Sequence, residues 1–441
     1  MTIRRAQCFR YRLPLDPPLP SGEGRLPERR GLLLRLTDDT GDTGWGEAAP
    51  LPGFSRESGA DAAVALTRVA ETLEGQSYAA PREDGPPIPD RWSDLPPSVR
   101  FAVESALLEL DAAAQGQTLP ALLGTEDAQV RLNALIPADS SDVRRDAERL
   151  WADGYRTLKL KVGRRAVAED VRRVHAVAHV VGEEGRIRLD ANRAWSVDAA
   201  VQFAEALGTV PLEYVEEPLA DPLALPDLAR RTGLPVALDE TTRERPPEAL
   251  ETLAPVAGVV LKPTLLGGIT TIRRWATAAQ AQDAVLVLTG GYESGVGTRM
   301  IAALAAVLTD APAGLLTYDR LADDILTPRL TMGPFVRVAD AYASVLDEAR
   351  LIPVDDPDEW TAYSWIPLPD TPGPGRRPRR SLHRTVSGPT PICTVQSGRS
   401  KPGWQPRASK RRIGSRSIWN VLRGSWACCG HCGGSGRWPC R

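Results

Sequence analysis

Between about residues 130 and 320, short β-branched and leucine-rich runs alternate with alanine-rich amphipathic stretches. The apolar runs are VRLNALIP (130–137), YRTLKLKVG (155–163), RIRLDAN (186–192), LEYVEEP (212–218), PVALDET (235–241), GVVLKPT (258–264), AVLVLTGG (284–291) and AGLLTYD (313–319). Their brevity and their Gly, Pro and Asp borders predict strands. The intervening stretches, such as DVRRDAERLWADG (142–154) and AAVQFAEALG (199–208), space their apolar residues as one face of a helix. Eight such units, repeating roughly every 25 residues, predict an α/β fold with a TIM-type barrel. The competing open, doubly wound sheet normally brings a glycine-rich phosphate turn after its first strand. ALIPADSS (134–141) is not one.

The flanks follow other rules. IRRAQCFRYRL, RGLLLRLTD and GDTGWGEAAP, all within residues 1–50, read as antiparallel strands with turns, and two helices are expected over 56–75 and 97–115, separated by a Pro-rich loop at 80–97. An α+β capping domain is therefore assigned to residues 1–115, the barrel to 116–320, and a return to the cap to 321–365. From 366 a Pro/Gly/Arg-rich tail runs to 441. It lacks the apolar periodicity that could offset its ordering entropy, and it is expected to be disordered.

Charge is divided along the same line. The tail from 371 holds 15 of the 54 basic residues and no acid, so the first 370 residues carry 39 basic against 56 acidic groups, a net of −17. The cysteines divide likewise: Cys8 stands alone in the body, the other five in the tail. No apolar run approaches the roughly 20 residues that span a bilayer, and the N-terminus lacks the apolar core of a signal peptide. The chain reads as cytoplasmic, with no membrane partner.

Lysine usage changes the picture more. Only five lysines occur: Lys159, Lys161, Lys262, Lys401 and Lys410. The three in the body all fall in predicted strands, whereas ordinary surface charge is left to arginine. Arginine is a poor base; lysine can surrender its proton when its surroundings demand it. Barrel enzymes build their sites at the C-terminal ends of the strands. Read there, strand two carries Lys159 and Lys161, strand three Asp190 and then Asn192, strand four Glu216 and Glu217, strand five Asp239 and Glu240, and strand six Lys262. Three carboxylates meeting at one interior point repel unless a divalent cation sits among them, and oxygen-only ligation suits one Mg²⁺. Neighbouring strand residues point to opposite faces, so one of Glu216 and Glu217 is a ligand. Arg188, two residues before Asp190, also faces inward and either orients carboxylates or forms a structural ion pair.

This order resembles the enolase superfamily, and within it the muconate-lactonizing subgroup. The matching residues are Lys159-Leu-Lys161, Asp190-Ala-Asn192, Glu216-Glu-Pro218, Asp239-Glu240 and Lys262-Pro-Thr264. The resemblance implies a (β/α)7β barrel with a capping domain whose loops close over the substrate. It also implies Asp190, Glu216 and Asp239 as the Mg²⁺ ligands, with Glu217 outside the set. GWGEAAPLPGFSRES (44–58), RLDANRAW (188–195), LKPTLLGG (261–268) and GGYESGVG (290–297) are similar to the o-succinylbenzoate synthase branch. One departure is the pair Gly290–Gly291, where serines are expected; backbone amides could serve the substrate there. The implied reaction is dehydration of 2-succinyl-6-hydroxy-2,4-cyclohexadiene-1-carboxylate to 2-succinylbenzoate in menaquinone synthesis. Lys161 is then the general base and Lys262 its partner on the opposite face, with Lys159, Arg188, Asn192 and Glu240 in support.

Three other readings compete. Two lysines on opposite faces also suit a racemase or epimerase of N-acylamino acids or dipeptides. The basic tail, with Trp404, Trp419, Trp426 and Trp438, could hold nucleic acid. Cys428, Cys429, His431, Cys432 and Cys440 could hold zinc, although their spacing fits no common finger. The acid-free tail reads better as out-of-frame translation of GC-rich DNA, without function.

Overall fold

The computed structural model describes residues 2–21, 24–77 and 94–354. Residues 78–93, with most of the proline-rich loop, and 355–441, with the end of the expected return to the cap (355–365) and the whole tail with its tryptophans and its Cys/His group, lie outside the described residues.

Seven short parallel strands form the barrel wall: Ala134–Ile136, Thr157–Lys161, Arg186–Asp190, Leu212–Glu216, Val236–Leu238, Gly258–Leu261 and Val285–Leu288. They pair in chain order, each next to its sequence neighbour. The eighth position is only a pair of bridges, Leu132 to Ala313 and Thr289 to Gly314, and these join the first and last strands into a ring. Here the fold departs from the sequence pattern. AGLLTYD supplies two bridging residues, then tightens into a 3₁₀ turn over Leu316–Arg320. VRLNALIP is likewise divided: Gln129–Arg131 pairs antiparallel with Phe335–Arg337, and only Ala134–Ile136 enters the barrel.

Helices cover the outside of the wall. Their apolar stripes, such as Ala200, Phe203 and Leu207 of helix Val197–Leu207, are buried in one continuous core. Side-chain caps start several of them: Asp142 accepts from Arg145 N, and Ser196 from Ala199 N.

The cap is an antiparallel sheet of Ile3–Ser21, Gly24–Asp38 and Thr43–Ala48, with Ile352–Pro353 added at its edge. Helices Gly59–Leu73 and Pro97–Ala114 pack on it around a second core. Two glycines of GWGEA set this contact. A Cβ on Gly46 would lie 1.8 Å from Ala102 O, and one on Gly44 2.1 Å from Ala106 O, so the strand touches the helix backbone directly. Among the described residues no helix is long and apolar enough to cross a membrane.

Candidate active site

Strand register builds the site. Lys161 pairs with Asp190, and Asp190 with Glu216, so these three share one level at the barrel mouth. One level deeper, Leu135, Lys159, Arg188 and Tyr214 are in register. Asp239 and Lys262 immediately follow the fifth and sixth strands.

The charges interlock. Lys159 reaches up from the deeper level and donates to both oxygens of Glu216, at 2.8 and 2.7 Å, while lying 3.0 Å from Asp190 Oδ2. Lys161 donates to Asn192 Oδ1 at 2.6 Å and stands 3.5 Å from Asp190 Oδ2. Lys262 donates to Asp239 Oδ1. Asn192 Nδ2 reaches Glu240 Oε1 at 3.5 Å. The two lysines flank the acids from strands two and six, across the ring from one another.

Electrostatics show what the arrangement wants. Burial pushes the Glu216 carboxyl up to about 8, with Asp190 and Asp239 adding to the rise and Lys159 opposing it. Asp190 moves the other way: burial would raise it, but Lys159 and Lys161 together hold it below the ordinary range. Burial would lower the Lys159 ammonium, yet Asp190 and Glu216 carry it well above the usual lysine value. Glu240 is raised by burial and by Asp239. Three carboxylates crowded at low dielectric are thus matched by the three ammonium groups of Lys159, Lys161 and Lys262. Oxygen donors on three consecutive strand ends suit a hard divalent cation. Among the described residues no three acidic, imidazole or thiol groups are drawn tightly enough to share one ion. Lys159 and Lys262 hold the acid oxygens instead.

Arg188 makes the structural ion pair, one of its two expected roles, and the Gly290–Gly291 amides are occupied within the protein. Arg188 is fully buried below the acids and donates to Glu213, to Asn133 Oδ1 at 3.0 Å and to Pro312 O at 2.7 Å. It organises the barrel floor. The amides of Gly290 and Gly291 are not free for a substrate: Gly290 N donates to Gly314 O at 3.0 Å and Gly291 N to Glu293 Oε2 at 2.6 Å. Closing the ring consumes the first, and a local carboxylate consumes the second.

Other residues support the site without any signal in the strand pattern. Glu217, wholly buried, accepts from Asp239 N at 2.8 Å, from Thr241 N at 3.2 Å and from Arg193 Nη2 at 3.2 Å. It thereby fixes the backbone of Asp239. Asn192, Arg193 and Glu217 hold positive φ values of 43, 62 and 42°, a strained state that tends to cluster at functional sites. From the cap, Glu47 accepts from Ser294 N at 2.9 Å and Gly297 N at 2.7 Å, and Tyr11 OH also donates to it. Arg29 donates to Pro50 O at 2.8 Å and Tyr292 O at 3.1 Å. Such links join the cap to the barrel loop that follows the seventh strand.

Comparison with known proteins agrees with this geometry. Residues 142–349 match the family described as enolase C-terminal domain-like, and residues 3–110 match the MenC N-terminal domain. Among solved structures, muconate lactonizing enzyme from Pseudomonas fluorescens, complexed with muconolactone, superposes with a TM-score of 0.66 at 22% identity, covering 79% of this chain and 98% of that one. A dipeptide epimerase from Enterococcus faecalis, complexed with Mg and L-Leu-L-Tyr, gives a TM-score of 0.66 at 22% identity, covering 76% and 97%. The fold is that of the enolase superfamily: a barrel enzyme with an N-terminal cap. The o-succinylbenzoate synthase of Citrobacter koseri is 34% identical over 311 residues, covering 70% of this chain and 88% of the relative. That of Escherichia coli O81 is 33% identical over 324 residues, covering 72% and 92%. The chain belongs to the o-succinylbenzoate synthase family, whose members are carbon–oxygen lyases of the hydro-lyase type.

Proposed function

We propose that the enzyme removes water from 2-succinyl-6-hydroxy-2,4-cyclohexadiene-1-carboxylate to give 2-succinylbenzoate, a step of menaquinone synthesis. The observation that carries this reading is the match of residues 3–110 to the MenC N-terminal domain together with 33–34% identity to o-succinylbenzoate synthases, around a barrel mouth where Lys161 and Lys262 flank Asp190, Glu216 and Asp239. The three acids would hold one Mg²⁺, whose charge lowers the cost of removing a proton beside a carboxylate.

Lys161 takes the ring proton alpha to the carboxylate, and the same group, now protonated, gives its proton to the departing hydroxyl. One base thus serves both halves, water leaves, and the ring becomes aromatic. Asn192 steadies the Lys161 amine through their 2.6 Å hydrogen bond. Lys262 faces the other side of the ring and offsets the negative charge that develops. Glu217 and Glu240 keep Asp239 and Asn192 in place. The same reading makes this a cytoplasmic enzyme, where the free Cys8 thiol stays reduced.

A second reading, racemization of N-acylamino acids or epimerization of dipeptides, draws on the same two lysines. The test is direct. Purified enzyme with MgCl₂ is given the cyclohexadiene carboxylate, and aromatization is followed by absorbance. In parallel, N-succinylamino acids and dipeptides in D₂O are followed for loss of the α-proton signal. Dehydration without α-proton exchange supports the synthase; exchange without dehydration overturns it.

A further inference from the structure

Just past the third barrel strand, Asn192 and Arg193 hold consecutive left-handed backbones, and Glu217 holds a third just past the fourth strand. Side chains other than glycine keep that region only where their surroundings fix it. Here one guanidinium does much of the fixing. Arg193 grips Glu244 with both terminal nitrogens, Nη1 to Oε1 at 2.6 Å and Nη2 to Oε2 at 2.8 Å. Its other edge reaches Glu217 Oε1, from Nε at 3.3 Å and from Nη2 at 3.2 Å, and Nη2 lies 3.3 Å from Thr241 Oγ1. Its own amide donates to Glu217 O at 2.7 Å. A side chain beyond the third strand thus ties the end of the fourth to the short helix Glu240–Glu244 after the fifth.

The two acids have different tasks. Glu217 is wholly buried, so its carboxylate needs a cation beside it, and Arg193 supplies one. Glu244 is exposed and anchors the guanidinium from outside. A planar fork can meet both carboxylates at once, whereas a lysine ammonium offers one charge without that shape.

Both links lead on into the site. Glu217 turns its second oxygen, Oε2, to the amides of Asp239 at 2.8 Å and Thr241 at 3.2 Å. On the other side Asn192, bonded directly to Arg193 in the same strained turn, accepts from Lys161 Nζ at 2.6 Å. We propose that Arg193 is a positioning residue that presets Lys161 through Asn192 and Asp239 through Glu217, so that one side chain aligns the base with a metal ligand. Its effect on turnover rests on the dehydratase reading; its effect on the metal site is measured without substrate.

The test titrates Mg²⁺ into Arg193→Met, Arg193→Lys, Glu244→Gln and the parent by calorimetry, then measures turnover at saturating Mg²⁺. Arg193→Met should bind Mg²⁺ about ten- to a hundredfold more weakly, as expected when a group supporting a metal ligand is lost. Its kcat should fall by a similar factor while KM stays near the parental value. Arg193→Lys should resemble Arg193→Met. Glu244→Gln removes only the outer anchor, on the surface, and should show both losses in smaller measure; it carries the test if Arg193→Met folds poorly. Adding Arg193→Met to Asn192→Ala should cost less kcat than adding it to the parent, because the path to Lys161 is already cut. Parental Mg²⁺ affinity in both Arg193→Met and Glu244→Gln, losses that fall on KM alone, or full additivity with Asn192→Ala each overturn the proposal. A parent that binds Mg²⁺ without dehydrating the cyclohexadiene carboxylate overturns the dehydratase reading instead, and the Mg²⁺ titrations still decide the role of Arg193.

Discussion

Lys159 Nζ lies 2.7 Å from Glu216 Oε2, and the same ammonium lies 3.0 Å from Asp190 Oδ2. One partly buried ammonium therefore faces two buried carboxylates, with Lys161 adding to the charge beside Asp190. Removing one member of a buried pair typically costs about 3–5 kcal/mol, because the remaining charge is left uncompensated. Lys159→Met should lower stability by about that amount in EDTA, measured by urea unfolding. Millimolar Mg²⁺ should recover part of the loss, since a bound cation then offsets the same carboxylates. Equal unfolding midpoints for parent and variant in EDTA would show that Lys159 does not compensate these acids.

Asp190, Glu216 and Asp239 stand on three consecutive strand ends and are proposed to share one Mg²⁺. Replacing any one by Ala should abolish measurable Mg²⁺ binding by calorimetry and reduce turnover to background. Far-ultraviolet circular dichroism should stay that of the parent. Near-normal metal affinity in Asp239→Ala would move the site elsewhere.

Lys161→Arg keeps the positive charge and approximate length but cannot release a proton. It should lose several orders of magnitude in kcat, with a smaller effect on binding of 2-succinylbenzoate. Lys262→Arg should lose less in dehydration, where its role is electrostatic. Any racemization the enzyme performs should suffer equally from both variants, because each face then needs a proton carrier. A Lys161→Arg enzyme that dehydrates at the parental rate would falsify the assignment of the base.

Glu104, on the cap helix Pro97–Ala114, is buried against the start of the barrel helix Gly268–Ala281 and accepts from Thr270 N at 2.9 Å. Burial pushes its carboxyl up to about 7, with Thr270 and Arg100 opposing. The folded state therefore holds this proton more tightly than the unfolded chain. That contribution to stability is complete below the unfolded value near 4.5 and is lost as pH rises through about 7. Glu104→Gln mimics the protonated form. Its melting temperature should change less between pH 5 and pH 8 than that of the parent, by the equivalent of up to about 3 kcal/mol. Parallel melting curves for the two proteins across this range would refute it.

Much of the fold, and the gathering of these side chains at one end of it, is legible in the sequence, and for a physical reason. A parallel barrel places successive strand ends around one mouth, so Lys161, Asp190, Glu216, Asp239 and Lys262 could be read off one period at a time. What stayed hidden depends on distance in sequence or on local backbone. The cap residue Glu47 meets Ser294 across 247 positions, which no periodicity announces. Glu217 looked like the unused member of a pair, but its positive φ turns it toward the Asp239 amide. The eighth strand was over-read because AGLLTYD is apolar enough for a strand, yet only Ala313 and Gly314 form bridges. Arg188 does face inward, as alternation demands, and there meets Glu213 at the floor of the barrel.

The carboxylates of Glu47 and Glu104 reach across from the cap to the first turns of two barrel helices, Gly295–Leu308 and Gly268–Ala281. Those helices follow the strands that lead to Gly290 and Lys262. A chimaera that paired this barrel with another cap would keep the starts of both helices only if that cap supplied an acid at the positions of Glu47 and Glu104, so the two parts are exchangeable only as far as those two carboxylates travel with the cap.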